Sequence, residues 1–180
     1  HDGPALVDGY GAARVRDALL ALERGTPRPP VQRYRPATHA DAADLLAWRN
    51  DPATRAASLT QHEISRDEHA AWLDGVLRDR DRSLLVVQRA GSAIAGVRFD
   101  RRGDEAEISV QVAPDRQAAG AGTQAIREAT ELQLAAHPAL ARIIATVNRR
   151  NSRSRRAFER AGYRPCDGPD GGWVRLQAVR

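Results

Sequence analysis

The stretch Val110-Gln-Val-Ala-Pro-Asp-Arg-Gln-Ala-Ala-Gly-Ala-Gly-Thr123 carries an apolar strand into a glycine-containing loop, and the loop opens directly into an amphipathic helix. Such a turn aims unpaired backbone N–H groups and the positive end of the helix dipole at one point. The chemistry this suits is phosphate binding, with the amides of Gln117, Ala118, Ala119, Gly120, Ala121, Gly122 and Thr123 as the cradle. On the strand before it, alternation sends Ile108, Val110 and Val112 to one face and Glu107, Ser109 and Gln111 to the other. Glu107 is thereby a carboxylate on a polar strand face, placed either to take a proton or simply to be solvated. His69 brings an imidazole that titrates near neutrality. It shares an apolar helical stripe with Trp72, Leu73, Val76 and Leu77, so a satisfied, partly buried histidine is the plainer reading.

These residues need elements to hold them. Residues 1–30 read as a helix (Ala12, Val15, Leu19 and Leu22 on one face, Gly25 as its stop) followed by the breaker Thr26-Pro-Arg-Pro-Pro30. The main domain is expected over 31–180. Val31 to Arg35 predicts a strand, and Thr38 with Asp41 opens a helix that ends at Asn50-Asp-Pro52. Ser65-Arg-Asp-Glu68 is a capping box for a second helix. Ser83 to Arg89, Ala93 to Phe99 and Glu105 to Val112 predict an antiparallel meander. The helix after the glycine loop stops at His137-Pro138. Ala141 to Val147 is apolar enough for a strand buried on both faces. Asn151 or Ser152 caps a helix that Gly162 ends, and Tyr163 to Pro165 with Gly172 to Gln177 complete the set. The order β-α-α-β-β-β-α-β-α-β-β predicts an α/β domain with a mixed sheet flanked by helices.

Composition narrows the partners. The 180 residues carry a formal charge of +5, and all 28 basic residues are arginine. Coding bias explains arginine without lysine; recognition of phosphates is the sharper explanation. Three Trp, three Tyr and two Phe, not interleaved with the arginines, make no stacking surface for nucleic acid. One cysteine, Cys166, excludes an internal disulfide and a cysteine-based metal site. No window is apolar enough for a membrane span and no signal-peptide pattern is present, so a cytoplasmic location is the default expectation.

Gln117-x-x-Gly120-x-Gly122 matches the Q/R-x-x-G-x-G/A pattern of GNAT-superfamily acyltransferases, and Val147-x-x-x-Asn151-x-x-Ser154-x-x-x-Phe158-x-x-x-Gly162-Tyr163 resembles that family's second signature at the right distance. The order of elements from Val31 to Arg180 is also that of the GNAT fold, a mixed, mostly antiparallel sheet between helices. The resemblance implies acetyl-CoA as acyl donor, with no metal. The loop would bind its pyrophosphate, Val110 and Val112 would pair with the pantetheine arm, and a strand N–H near Val112 would meet the oxyanion. It further implies that Asn151 hydrogen-bonds the arm and that Phe158 packs on the cofactor. Each has a structural alternative, since Asn151 is an ideal N-cap and Phe158 an ordinary core anchor. Many relatives place a tyrosine acid where this chain has Phe158, which cannot donate a proton. Ser154 is therefore the candidate acid, Glu107 acting through water the candidate base, and Glu105 and His69 the next choices for base.

The acceptor is read from the first two helices. Leu46-Ala-Trp-Arg49-Asn50-Asp and Ile64-Ser-Arg-Asp-Glu-His69-Ala-Ala-Trp72 resemble the substrate half of GNAT enzymes that acetylate nucleotide-linked aminosugars in pseudaminic-acid-type pathways. Arg49, Asn50 and His69 are then expected at the acceptor, with Arg49 on a sugar-nucleotide phosphate or else paired with Asp51 or Glu68. Protein N-terminal acetyltransferases share the second half of this pattern. A domain that only binds acyl-CoA is the reading from another class, kept open by Phe158. Leu6 to Val15 resembles the tail of that pathway's nucleotide-sugar hydrolase, so the chain is expected to be the end of a two-enzyme fusion, processed or truncated at His1, or else to carry a simple N-terminal helix. The expected partner is a small amine, with no nucleic acid and no membrane; a homodimer is compatible.

Overall fold

The computed structural model describes residues 31–58, 60–116, 120–168 and 172–180. The expected N-terminal helix and linker, and Gln117, Ala118 and Ala119 of the loop, lie outside the described residues.

Seven strands form one sheet in the order β1-β2-β3-β4-β5-β7-β6. They are β1 (Arg33–Pro36), β2 (Arg82–Arg89), β3 (Ser92–Arg102), β4 (Glu105–Val112), β5 (Arg142–Asn148), β6 (Arg164–Cys166) and β7 (Trp173–Val179). Every neighbouring pair is antiparallel except β4 with β5, which is parallel. The helices are α1 (Ala42–Asn50), α2 (Pro52–Ala56), α3 (Arg66–Arg78), α4 (Ala121–Ala136) and α5 (Ser152–Arg160).

The meander and the central apolar strand form as the alternation requires. β3 runs three residues beyond the expected Phe99, through Asp100, Arg101 and Arg102. Their charge does not break the strand, because Asp100 and Arg102 project to a face that borders an open cavity. The short helix α2 is not apparent from apolar spacing; it forms because Asp51 accepts a hydrogen bond from the Thr54 N–H and Pro52 stands in the first turn, where no N–H is needed.

The two faces of the sheet have different coverings. Against one, Phe99, Ile108, Ile143, Ala145 and Leu176 pack with Ala125, Ile126 and Ala129 of α4 and Phe158 of α5. Against the other, Leu84 and Val86 of β2 meet Leu45 and Trp48 of α1 and Leu73 and Val76 of α3. The second cover reaches β4 at Ser109 and Gln111, where Leu45 and Trp72 approach, and leaves the Glu105–Glu107 end of that face accessible.

The entry to α1 is fixed by one carboxylate. Asp41, 6 % exposed, accepts from the Arg35 guanidinium at 2.6 and 2.8 Å, from the Thr38 N–H at 2.8 Å and from the Thr38 hydroxyl at 3.1 Å. The Arg35 hydrogen bond holds its carboxyl at about 2, against the opposing effect of burial and with help from the Thr38 amide. A carboxyl pKa depressed on folding adds stability above its unfolded value of about 3.9, lost as pH falls through the folded value. Asp41→Asn is therefore expected to lower the unfolding free energy by about 1–3 kcal/mol at pH 7, and the difference from wild type should shrink between pH 4 and pH 2. Urea unfolding across that range measures both.

Candidate active site

β4 and β5 pair over three residues only, Glu105 with Arg142, Ala106 with Ile143 and Glu107 with Ile144. Beyond that row, Ile108 to Val112 of β4 and Ala145 to Asn148 of β5 have no ladder between them. β3 still pairs β4 as far as Val112, and β7 still pairs β5 as far as Asn148, so each strand is held from behind while the inner edges part. A cleft thus opens in the middle of the sheet, with strand edges suited to an extended arm bearing amides. Val110 and Val112 lie on its β4 wall.

The cleft leads to the start of α4. Gly120 is the N-cap with φ of 68°, a left-handed conformation that favours glycine. Gly122 lies so close to β4 that a Cβ there would stand 3.3 Å from Val112 Cγ2. Among the described residues, no carbonyl or side chain accepts from the N–H groups of Ala121, Gly122 and Thr123, and no side chain caps the helix. The amides of Gly122 and Thr123, half-buried in a first turn beside a parted sheet, fit a pyrophosphate, with the buried Ala121 beneath them. Gln32, itself buried, donates from Nε2 to the Ala121 carbonyl at 3.3 Å, and the Tyr34 hydroxyl donates to Gln32 Oε1 at 2.8 Å. These two residues of the first strand region brace the turn and were not signalled by any motif.

The helix α5 starts where β5 ends. Asn151 is its N-cap, accepting from the Ser154 N–H at 2.9 Å through Oδ1, which leaves its amide nitrogen for a ligand. Ser154 is half-buried in the first turn. Phe158 is 4 % exposed and set edge-on to Tyr163, their ring centres 5.0 Å apart, so it is a core anchor beneath the cleft. Tyr163 is no substitute acid. Its hydroxyl is buried against Thr130 Oγ1 at 2.7 Å, and burial pushes the phenol well above its ordinary value.

On the polar face, Asp100, Arg102, Glu105, Glu107, Ile144, Thr146 and Arg175 border a cavity of about 290 Å³ at the point where the strands part. Asp100 lies directly opposite Glu107 across the β3–β4 ladder. Asp100 is held by Arg98 at 2.9 Å and approached by Arg82 at 3.6 Å, and Glu105 is held by Arg142. Glu107 has no ion-pair partner among the described residues. Arg98 in turn lies under Trp72 of α3, 5.7 Å from the ring centre.

The residues expected at the acceptor divide. Asn50 uses both ends of its amide on Ile64, accepting from its N–H at 2.9 Å and donating to its carbonyl at 2.8 Å, and so pins the segment before α3. Arg49 donates to the Thr60 carbonyl at 2.7 Å, and neither Asp51 nor Glu68 forms the ion pair considered for it. Burial, with repulsion from Arg55, works against its charge, and Glu68 partly offsets this. His69 is 4 % exposed with its ring 5.1 Å from Trp72, and burial lowers its pKa so that the ring is neutral. It supports Trp72 from behind and is closed to solvent, whereas Glu107 borders the cavity. Asp100, Arg102 and Arg175 were not singled out by sequence. They come together only through strand register and the insertion of β7 between β5 and β6.

Among the described residues, no group of three or more His, Cys, Asp and Glu could hold a metal, and no helix is long and apolar enough to cross a membrane. The family model described as acetyltransferase (GNAT) domain matches residues 33–164. The fold is shared with the GNAT domain of S. lividans PAT, 24 % identical, TM-score 0.69, covering 83 % of this chain and 90 % of that one. It is shared too with an aminoglycoside acetyltransferase AAC(6')-Ib in complex with coenzyme A (21 %, TM-score 0.70, 83 % and 95 %). A spermidine N-acetyltransferase from Vibrio cholerae, in complex with CoA and spermine, is similar (18 %, TM-score 0.72, 82 % and 95 %). No curated protein matches the sequence.

Gly122→Val would press its side chain onto Val112 and move the first turn of α4. The KM for acetyl-CoA is expected to rise at least tenfold while the KM for the acceptor changes little, as steady-state kinetics with each substrate varied would record.

Proposed function

The chain belongs to the GNAT acetyltransferase family and uses acetyl-CoA as donor, and on that footing we propose that it acetylates the amino group of a nucleotide-linked aminosugar. The observation that carries the amine half of this reading is Glu107. It is a carboxylate without an ionic partner among the described residues, at the last paired row before the cleft and on the border of the polar cavity. The sequence patterns of the two acceptor-side helices support the sugar half. Around Arg49 they brace the loop at Thr60, and around His69 they seat Trp72 over Arg98 beside the cavity. A flat indole edge with a guanidinium beneath it suits a sugar or base ring better than a flexible aliphatic amine.

Acetyl-CoA supplies an activated acyl group on a good leaving thiol. Its pyrophosphate falls to Gly120, Ala121, Gly122 and Thr123, with Gln117, Ala118 and Ala119 completing the loop, and its arm to Val110, Val112 and the Asn151 amide nitrogen. The residues have two proton tasks. Glu107, directly or through one water, takes the proton that makes the acceptor nitrogen a nucleophile. Ser154, at the head of α5, returns a proton to the departing sulfur in place of the tyrosine that Phe158 replaces. A nucleotide-sugar hydrolase joined upstream would fit this acceptor.

A protein N-terminus or a polyamine is the competing acceptor. The polar cavity argues against a polycation, since Asp100 and Glu105 are already matched by arginines. CoA release assayed over a panel of UDP-4-aminosugar, peptide amines and spermidine decides between them, and turnover confined to peptides would overturn the sugar reading. With the preferred acceptor, Glu107→Gln is expected to lower kcat by about 10²-fold with the KM for acetyl-CoA unchanged. Ser154→Ala should cost about tenfold or more in kcat; unchanged turnover would remove Ser154 from the mechanism.

A further inference from the structure

Arg175 is an arginine without an ionic partner among the described residues, its stem packed against backbone. It projects from β7 on the same face as its neighbour in register, Thr146 of β5, and both border the polar cavity. Its stem is gripped by the turn before β7, for a Cβ on Gly168 would lie 2.6 Å from Arg175 Cγ and 2.9 Å from its Cβ. The absence of a side chain at residue 168 is what lets backbone and stem meet. Arg102 of β3 borders the cavity from the opposite side and likewise forms no ion pair among the described residues. Of the three carboxylates there, Asp100 and Glu105 are matched by Arg98 and Arg142 from outside the cavity. What remains is one carboxylate, Glu107, and two guanidinium groups.

That balance is complementary to a ligand with one ammonium and one or more anionic phosphates. We propose that Arg175, with Arg102 facing it, is an anion subsite for the phosphate of the acceptor, distinct from the cradle that holds the donor. The cradle lies past the end of β4 at Val112, whereas Arg102 stands opposite Glu105 at the strand's start. Along β4, Arg102 is seven residues of extended chain, about 20 Å, from Val112, and Arg175, whose partner Thr146 lies two residues past Ile144, is about 10 Å from it, so the subsite and the cradle occupy different levels of the strand. A guanidinium held by its stem loses little freedom when it forks onto phosphate oxygens, which is the geometry arginine favours over lysine. The assignment rests on the polar cavity receiving the acceptor, and it gives the phosphate a different arginine from Arg49.

Two measurements separate this subsite from the aminosugar reading. The first is calorimetric titration of UDP into protein saturated with CoA, which blocks the donor cradle. Wild type is expected to bind, and Arg175→Gln to bind at least tenfold more weakly, with Arg175→Lys between them. The second is CoA release with a UDP-4-aminosugar and with the same sugar lacking the nucleotide. Arg175→Gln should lower the ratio of kcat/KM for the first over the second by tenfold or more while the KM for acetyl-CoA is kept. Should Arg175→Gln fail to fold, Arg102→Gln, at an exposed position, is expected to give the same two changes in smaller measure. Absence of UDP binding to the CoA-saturated wild type, or binding unaltered in folded Arg175→Gln, overturns the subsite. UDP binding that depends on Arg175, found without turnover of the UDP-aminosugar, upholds the subsite and overturns the sugar reading alone.

Discussion

The separation of β4 from β5 after Glu107 and Ile144 is the constraint on which the rest of the molecule depends. Two neighbouring strands in the middle of a sheet surrender their mutual hydrogen bonds, a cost borne only because each is anchored behind by a full antiparallel partner. The apolar layer beneath β5, with Ile143 and Ala145 fully buried, keeps that strand seated despite its open edge. From this one departure follow the position of α4 and α5 at the far ends of the parted strands and the polar cavity at the near end.

The two helices at the cleft solve their end problems differently, and the difference is functional. α3 and α5 have side-chain caps, from Ser65 and Asn151. α4, whose N-terminus faces the cleft, has a left-handed glycine and, among the described residues, no side-chain cap. A helix start without a cap wastes hydrogen-bonding capacity unless a ligand uses it. The bracing of the Ala121 carbonyl by Gln32, itself held by Tyr34, keeps that turn in place.

Much of this was legible in the sequence because it depends on local rules. Glycine at 120 and 122, the Ser65–Glu68 box, the apolar run of β5 and the alternation of β4 each announce their element within a few residues. The sides of the cavity are not local. Asp100 fell just past the strand expected to end at Phe99, since the charged residues that follow do not look like strand until it is known that they border an opening. Arg175 is one arginine among 28, and nothing in its neighbourhood separates it from a solvated one until β7 is placed between β5 and β6. Asn50 shows the reverse case. Its position in a motif suggested a ligand contact, and only tertiary structure shows that it also clamps both polar groups of Ile64.

The open edge between β4 and β5 also links the donor to the lifetime of the fold. A ligand that binds only the native sheet adds stability in proportion to the logarithm of its concentration over Kd, about 2.7 kcal/mol at a hundredfold excess. For a domain of ordinary marginal stability that is a substantial share. On the proposed reading, acetyl-CoA is the ligand that fills this seam, and its supply sets how often the seam is filled. The protein's resistance to proteolysis becomes a readout of the metabolite it consumes.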